Sequence, residues 1–170
     1  MKILALCGSL RDNSSNFSLL MTIEKKLSHL DTFEIFPIKD LPFFDPHFQF
    51  NSEQPEIIKN LRNKAMNCDY ILISTPEYAH GIPGILKNAL EWLICEETMK
   101  KKTAVIIASP SGGNFVKEHL NETLKTMDLI VSPNLQLIVK TARQHINARG
   151  DVLDSNLSQQ IDKFILNLNG

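Results

Sequence analysis

Short polar side chains and one arginine follow the first apolar run of the chain, and their chemistry suits an anion. Residues 3–7 have the length and apolar content of a strand buried on both faces, and Gly8 ends the run. The donors that follow precede a helical pattern, and they are Ser9, Arg11, Ser14, Ser15 and Asn16. Together with backbone N–H groups at a helix N-terminus, such donors form a cradle for a phosphate. Serine and asparagine are equally common as ordinary helix caps, so this loop alone leaves both interpretations open.

Two further loops have the composition of a ligand site. Residues 75–84 (TPEYAHGIPG) combine rigid prolines, backbone amides and an aromatic ring, and residues 109–114 (SPSGGN) let backbone approach a ligand closely. A flat redox-active ring needs chiefly such amides at its polar edge. The candidate contacts in the two loops are Pro76, Glu77, Tyr78, Ala79, His80, Ser109, Ser111, Gly112 and Gly113.

Tyr78 and His80 each have an ordinary interpretation beside the functional one. Tyr78 is equally consistent with ring contact and with an aromatic that packs on a neighbouring helix. No second histidine, cysteine or carboxylate lies near His80 at the spacing of a metal site or a catalytic triad. His80 therefore indicates a polar contact, and we predict no metal site and no catalytic side chain.

Strand and helix patterns alternate about five times along the chain. After the first strand, apolar runs predict strands at 33–38, 69–74 and 103–108, and residues 129–139 hold two β-rich pieces interrupted by 132–134. Helical periodicity covers 17–30, 57–66, 85–95, 115–127 and 157–168. The alternation predicts an α/β fold with a doubly wound, five-stranded parallel sheet and helices on both faces. In the order 2-1-3-4-5, strands 1, 3 and 4 are neighbours, so their three loops share the edge where such sheets bind ligands.

The segment from residue 37 to residue 52 supports three smaller predictions. Residues 41–50 contain four phenylalanines and two prolines and show neither helical nor strand periodicity. This composition indicates a surface connection that covers another part of the protein. Ser52 is a candidate N-cap for the helix that follows, and Pro37 places the second strand near an edge of the sheet.

Composition narrows the class of protein. The 170 residues are 43% hydrophobic and 22% charged, which predicts one globular domain over residues 1–170. The net charge of -1 gives no field that attracts nucleic acid or an anionic membrane, and no apolar run approaches the roughly 20 residues that span a bilayer. Cys7, Cys68 and Cys95 form no CxxC pair and are odd in number, so we expect no disulfide framework. With no signal-peptide pattern, we expect a cytoplasmic protein.

The motifs of several nucleotide-binding classes are absent from the sequence. Neither the Walker pattern nor GxGxxG occurs, which disfavours a nucleoside triphosphatase and a nicotinamide-binding Rossmann domain. The CxxxxxR pattern of one phosphatase class is also missing. A single phosphate cradle on this sheet instead fits a mononucleotide such as flavin mononucleotide (FMN).

Two segments resemble the signatures of the NADPH-dependent FMN reductase family. They are Gly8-Ser9-Leu10-Arg11 with Ser14 and Asn16, and residues 76–92 (PEYAHGIPGILKNALEW), and Ser109 with Gly112-Gly113 extends the match. The resemblance implies a flavodoxin-like FMN-binding domain. It also implies a ping-pong NAD(P)H-dependent oxidoreductase that passes electrons through FMN to quinones, azo dyes, chromate or free flavin, with NADPH or NADH as co-substrate.

The same resemblance implies roles for the residues and a mode of assembly. Ser9, Arg11, Ser14 and Asn16 would hold the FMN phosphate, and Pro76, Glu77, Tyr78 and the third loop would border the ring system. Ala79 and Gly81 depart from the asparagine and serine that the family commonly has there. Members usually pair through the helix at 84–97, which implies a homodimer or a dimer of dimers. The apolar residues Leu90, Trp92 and Leu93 favour the same pairing, unless Trp92 merely caps the core.

A flavodoxin-like electron carrier and a non-catalytic flavin-binding module are the alternatives to an enzyme. A carrier usually has a strongly acidic docking surface, and a net charge of -1 does not supply one. A non-catalytic module would be expected to lose the phosphate cradle, which is intact. Both observations favour an oxidoreductase that acts on a small-molecule acceptor.

Overall fold

Five strands form one parallel sheet in a computed structural model, which describes residues 1–49 and 53–169. The observed order is β2-β1-β3-β4-β5, as predicted, and every neighbouring pair is parallel. All carboxyl ends therefore lie at the same edge of the sheet. The strands are β1 (Lys2–Cys7), β2 (Thr32–Phe36), β3 (Tyr70–Thr75), β4 (Lys102–Ala108) and β5 (Ile130–Val139).

Helices cover both faces of the sheet, which confirms the doubly wound architecture. One apolar cluster joins the sheet to α2, α3 and α4, and a second joins its other face to α1 and α6. None of the helices in the described part of the chain has the length and hydrophobicity that crossing a membrane requires. The helices are α1 (Ser15–Lys26), α2 (Glu56–Asn67), α3 (Gly84–Trp92), α4 (Asn114–Thr126), the short α5 (Ala142–His145) and α6 (Ser155–Leu168).

Several element bounds differ from the sequence prediction for local reasons. Strand β2 ends at Phe36 because Pro37 has no N–H to donate, and a 3-10 turn follows at Ile38–Asp40. The fifth strand is continuous, but its register against β4 jumps from Val131 to Gln136, so the predicted interruption is a bulge. Helix α1 ends before residue 30, and α5 was not predicted. The predicted cap Ser52 lies outside the described residues.

The phenylalanine-rich connection covers α3, as the sequence indicated. Phe44 packs edge-on against Trp92 with ring centroids 5.1 Å apart, and the Trp92 Nε1–H donates to the Pro42 carbonyl at 2.9 Å. The Asn88 side chain joins the same connection by donating to Pro42 O and accepting from the Phe44 N–H. Trp92 is consequently only 1% exposed.

This burial removes one argument for a dimer. Leu90 and Leu93 are fully buried within the same chain, as Trp92 nearly is. The prediction that these three residues form an exposed pairing patch is therefore wrong, because the connection and the core of one chain already cover them. The pairing implied by the family resemblance stays a prediction on that ground alone.

Candidate flavin-binding site

Four loops at the carboxyl edge of the sheet surround a cavity of about 420 Å³, which we call the edge cavity. The loops after β1, β3 and β4 were predicted to meet there, and the segment after β5 closes the fourth side. Its volume falls within the range typical of small-molecule sites. The residues around it are Ser9, Arg11, Ser15, Asn16, Pro76, Glu77, Tyr78, Ala108, Ser109, Pro110, Thr141, Ala142, Arg143 and Gln144.

The first loop brings the N-terminus of α1 to the edge cavity. The Gly8 N–H donates to Ser74 O at 2.8 Å, and a Cβ at Gly8 would lie 2.8 Å from Thr75 Oγ1, so a side chain there would force β3 away. Ser15 and Asn16 occupy the first turn of α1, where backbone N–H groups have no intrahelical partner. The helix thus presents backbone donors to an anion in the cavity.

Ser14 has the capping role that the sequence left open. Its Oγ accepts from the Phe17 N–H at 3.1 Å, and the residue is 1% exposed. It does not line the edge cavity. Ser14 therefore fixes the start of α1, and the structure does not bring it among the donors predicted for the phosphate.

The Asn16 side chain ties three elements together beneath the cavity. Its Nδ2 donates to Ala108 O at 3.3 Å at the end of β4, and its Oδ1 accepts from Ser74 Oγ at 3.1 Å at the end of β3. The same Ser74 hydroxyl also lies 3.0 Å from Asn16 O. Asn16 lines the cavity as predicted, but its amide chiefly holds α1 in register with the two central strands.

Two guanidinium groups line the edge cavity without a carboxylate partner. Arg11 in the first loop and Arg143 on α5 are both exposed, and no ion pair involves either among residues 1–49 and 53–169. A planar guanidinium is well suited to bidentate recognition of a phosphate. The sequence did not predict Arg143 as a site residue, although residues 141–144 follow the fifth strand at the same edge.

Glu77 joins the second and third loops of the site. Its Oε1 accepts from Ser111 Oγ at 2.7 Å, and its Oε2 accepts from the Val116 N–H in the first turn of α4 at 3.0 Å. The hydrogen bond from Ser111, followed by that from Val116, lowers the pKa of the Glu77 carboxyl. Glu77 is therefore ionised at neutral pH, and its carboxylate holds the two loops together.

A tight turn at Tyr78–Gly81 sets the rim beside Glu77. Tyr78 and Gly81 exchange backbone hydrogen bonds at 3.2 and 3.0 Å, and Ala79 and His80 between them have φ values of 48° and 56°. Both angles lie in the left-handed region that a type I′ turn requires. Tyr78 remains 52% exposed, and its hydroxyl lies 3.4 Å from Ser9 Oγ. Its ring is therefore at the cavity and free to meet a ligand.

His80 and Ala79 lie outside the edge cavity, although both were predicted as contacts. The His80 ring stacks on Phe115 at 4.2 Å between centroids and 11° between planes. The sequence predicted a polar contact for His80, whereas the structure gives its ring an aromatic neighbour. No group of three or more histidine, cysteine or carboxylate side chains in the described ranges could hold a metal ion.

Ser109 of the third loop lines the edge cavity as predicted. Ser111, Gly112 and Gly113 of the same loop do not line it. The Ser109 and Ser111 hydroxyls lie 2.8 Å apart, which continues the hydrogen-bond chain that starts at Glu77. Gly113 has φ 72°, and a Cβ there would lie 2.4 Å from Ile107 Cγ2. Gly112 and Gly113 therefore shape the loop and do not themselves line the cavity.

The residues present fit a phosphorylated flavin. The two guanidinium groups, the α1 N–H groups and the Ser9 hydroxyl suit a phosphate monoester, and the uncharged residues Tyr78, Pro76 and Ser109 line the same cavity. The net charge of the charged groups that line it is +1, from Arg11, Arg143 and Glu77. The donor set and the shape of the sheet edge thus agree with FMN.

Comparison with known proteins finds relatives that are named as flavin and quinone reductases. The family model for NADPH-dependent FMN reductase matches residues 1–144. The NADH-dependent flavin reductase subunit 2 of Lactobacillus johnsonii is 31% identical, over 95% of this chain and 92% of the relative. The quinone reductase of Escherichia coli is 27% identical, over 96% of this chain and 93% of the relative.

A solved structure shares the fold. The flavoenzyme NAD(P)H:(acceptor) oxidoreductase FerB from Paracoccus denitrificans superimposes with a TM-score of 0.87 at 24% identity, covering 98% of this chain and 94% of FerB. The chain belongs to the NADPH-dependent FMN reductase family. It is therefore an oxidoreductase with FMN as cofactor and a reduced nicotinamide as co-substrate.

Proposed function

We propose that the edge cavity is the FMN site of this reductase and that Arg11 and Arg143 clamp the phosphate between them. The observation that carries the proposal is the pair of guanidinium groups that line one cavity with the first turn of α1 and form no ion pair within the described residues. Ser9 and the backbone N–H groups of Ser15 and Asn16 complete the donor set. Two charges and several N–H donors are what a dianionic phosphate requires in order to leave water.

The remaining residues of the site orient the flavin and keep its face accessible. Pro76, Tyr78 and Ser109 border the ring system, and the half-exposed Tyr78 forms its outer edge. FMN, when bound, would supply the capacity to accept a hydride from a nicotinamide and to pass the electrons to a separate acceptor. Glu77 and Asn16 keep the loops in place, and no side chain is needed as an acid or base.

The acceptor that we propose is a quinone or a similar small, diffusible oxidant. Relatives named as a flavin reductase and a quinone reductase support this class, and the rim at Tyr78 is open to solvent. Azo dyes, chromate and free flavin belong to the same class of diffusible acceptor. Either NADPH or NADH serves as donor. The reductive and oxidative half-reactions alternate at one site.

We also propose that residues 1–170 form a single flavin-binding domain in the cytoplasm that works as a homodimer or a dimer of dimers. Helix α6 lies beyond the residues matched by the family model, yet Ile161 and Phe164 are buried against the sheet. Cys7, Cys68 and Cys95 are free thiols, which suits a reducing compartment. The pairing rests on the family resemblance and is tested by the mass of the protein in solution.

Titration of the apoprotein with FMN and with riboflavin tests the phosphate clamp. Riboflavin lacks the phosphate, so it should bind more weakly than FMN. Arg11→Ala and Arg143→Ala should each weaken FMN at least about tenfold, or about 1.4 kcal/mol, with little effect on riboflavin. Arg149→Ala is the matched control, because Arg149 is an exposed arginine that does not line the cavity.

Quenching of flavin fluorescence reads out both ligands. Equal affinities of FMN and riboflavin for the wild type, or unchanged FMN affinity in both arginine variants, would contradict the proposed clamp. A loss of affinity in Arg149→Ala of the same size would assign the effect to overall charge.

A further inference from the structure

A second cavity of about 740 Å³ lies on the other side of the first loop, toward the edge strand β2. The edge cavity shares only Ser9 and Arg11 with it. Its volume lies well within the range of ligand sites. Its exposed apolar lining includes Leu10 of the first loop and Phe17 of α1, and the residues behind them are Met21, Ile35, Phe36 and Ile38.

The exposure of Phe17 and Leu10 is explained by this cavity. Phe17 belongs to the apolar stripe of α1 that the sequence directs inward, yet it is 41% exposed, and Leu10 is 59% exposed. Both side chains line the second cavity. A stripe residue that faces an open cavity leaves apolar surface in water, and a ligand that covered it would gain the corresponding hydrophobic free energy.

The charged groups at the second cavity are cationic on balance. Arg11 and Lys39 line it together with one carboxylate, Asp12. None of the three forms an ion pair with any residue in 1–49 or 53–169. An apolar floor with a net charge of +1 at its wall suits a flat apolar molecule that carries one negative group.

We propose that the second cavity binds an aromatic carboxylate, with its ring on Phe17 and Leu10 and its carboxylate on Lys39 and Arg11. This binding site is additional to the reductase site. Arg11 lines both cavities, so the carboxylate and the FMN phosphate compete for one guanidinium group. Occupancy of the second cavity therefore lowers the affinity for FMN, and FMN lowers the affinity for the carboxylate by the same factor. The competition, although not the binding itself, rests on the proposed FMN site.

Calorimetric titration with 2-naphthoate tests the binding, with 2-naphthalenemethanol as the uncharged control ligand. We expect saturable binding of 2-naphthoate and at least about fivefold weaker binding of the alcohol. Lys39→Ala should weaken 2-naphthoate about fivefold or more, and Lys125→Ala, an exposed lysine that lines neither cavity, should not. Phe17→Ala removes the apolar contact without touching the charge, and the thermal midpoint shows that each variant is folded.

A second titration separates this site from the FMN site. With saturating FMN, the dissociation constant of 2-naphthoate should rise by about threefold or more, and Arg11→Ala should abolish that difference. Binding of 2-naphthoate that neither Lys39→Ala nor Phe17→Ala changes would overturn the proposal, as would equal binding of the alcohol. Unchanged affinity in the presence of FMN would refute the shared arginine while leaving the reductase site untouched.

Discussion

Replacing Glu77 by glutamine should loosen the joint between the second and third loops in a way that depends on pH. The carboxylate accepts one hydrogen bond from Ser111 Oγ at 2.7 Å and one from the Val116 N–H at 3.0 Å. Glutamine can satisfy the Val116 N–H with its carbonyl oxygen and can donate to Ser111. It nevertheless loses the negative charge beside the N-terminus of α4.

The size of the effect follows from these two bonds. Hydrogen bonds to a charged group contribute about 1.5–3 kcal/mol each when buried, and Glu77 is only half-buried, so we take about 1 kcal/mol for each. Glu77→Ala should then lower the free energy of unfolding by about 2 kcal/mol, and Glu77→Gln by about 1 kcal/mol. Glu118 is an exposed carboxylate on α4 with no partner in the described residues, so Glu118→Gln should stay within about 0.5 kcal/mol of the wild type.

The pH dependence gives the sharper test. Hydrogen bonds from Ser111 and Val116 lower the pKa of Glu77 in the folded protein. The stabilisation is therefore fully present above the unfolded pKa of about 4.3 and is lost as pH falls through the folded pKa. Urea unfolding of the apoprotein at pH 7 should show the full gap between wild type and Glu77→Gln, and the gap should close at progressively lower pH. A gap that stays constant with pH, or an equal loss in Glu118→Gln, would refute the reasoning.

Three further substitutions test the loop geometry by chemical denaturation. Ala79→Asn should raise the free energy of unfolding by about 0.5–1 kcal/mol, because Ala79 has φ 48° and asparagine tolerates that conformation better. Gly113→Ala should lower it by more than about 2 kcal/mol, because φ is 72° and the new Cβ would lie 2.4 Å from Ile107 Cγ2. Asn16→Ala should lower it by about 1–2 kcal/mol and weaken FMN, since Ala108 O at the end of β4 loses the amide donor that ties it to α1. Unchanged stability in any of the three would contradict the role assigned to that residue.

The sequence predicts the sheet and most of the cavity because both follow from patterns local to the chain. Unbroken apolar runs mark strands buried on both faces, and the switch-point rule places the loops after β1, β3 and β4 at one edge. Ser9, Arg11, Ser15 and Asn16 could be placed at the cavity for this reason. Arg143 follows a strand whose bulge obscures its pattern, and its loop was not recognised as part of the same edge.

The direction in which each side chain points could not be predicted from the sequence. Ser14 lies among the donors in sequence, but helix geometry turns its hydroxyl onto the Phe17 N–H. Glu77 lines the cavity, yet its oxygens are taken by Ser111 and Val116, which come from another loop and helix. Trp92 has the hydrophobicity of an interface residue, and its own segment does not show that the distant connection around Pro42 helps to bury it.

An anaerobic absorption spectrum of the FMN-loaded protein tests directly whether FMN in the edge cavity passes electrons from a nicotinamide to an acceptor. We expect NADH or NADPH to bleach the flavin band and a quinone to restore it, through repeated cycles of reduction and oxidation. Bound flavin that neither nicotinamide reduces would indicate an electron carrier and contradict the proposed turnover. A protein that retains no FMN after reconstitution would contradict the assignment of the edge cavity itself.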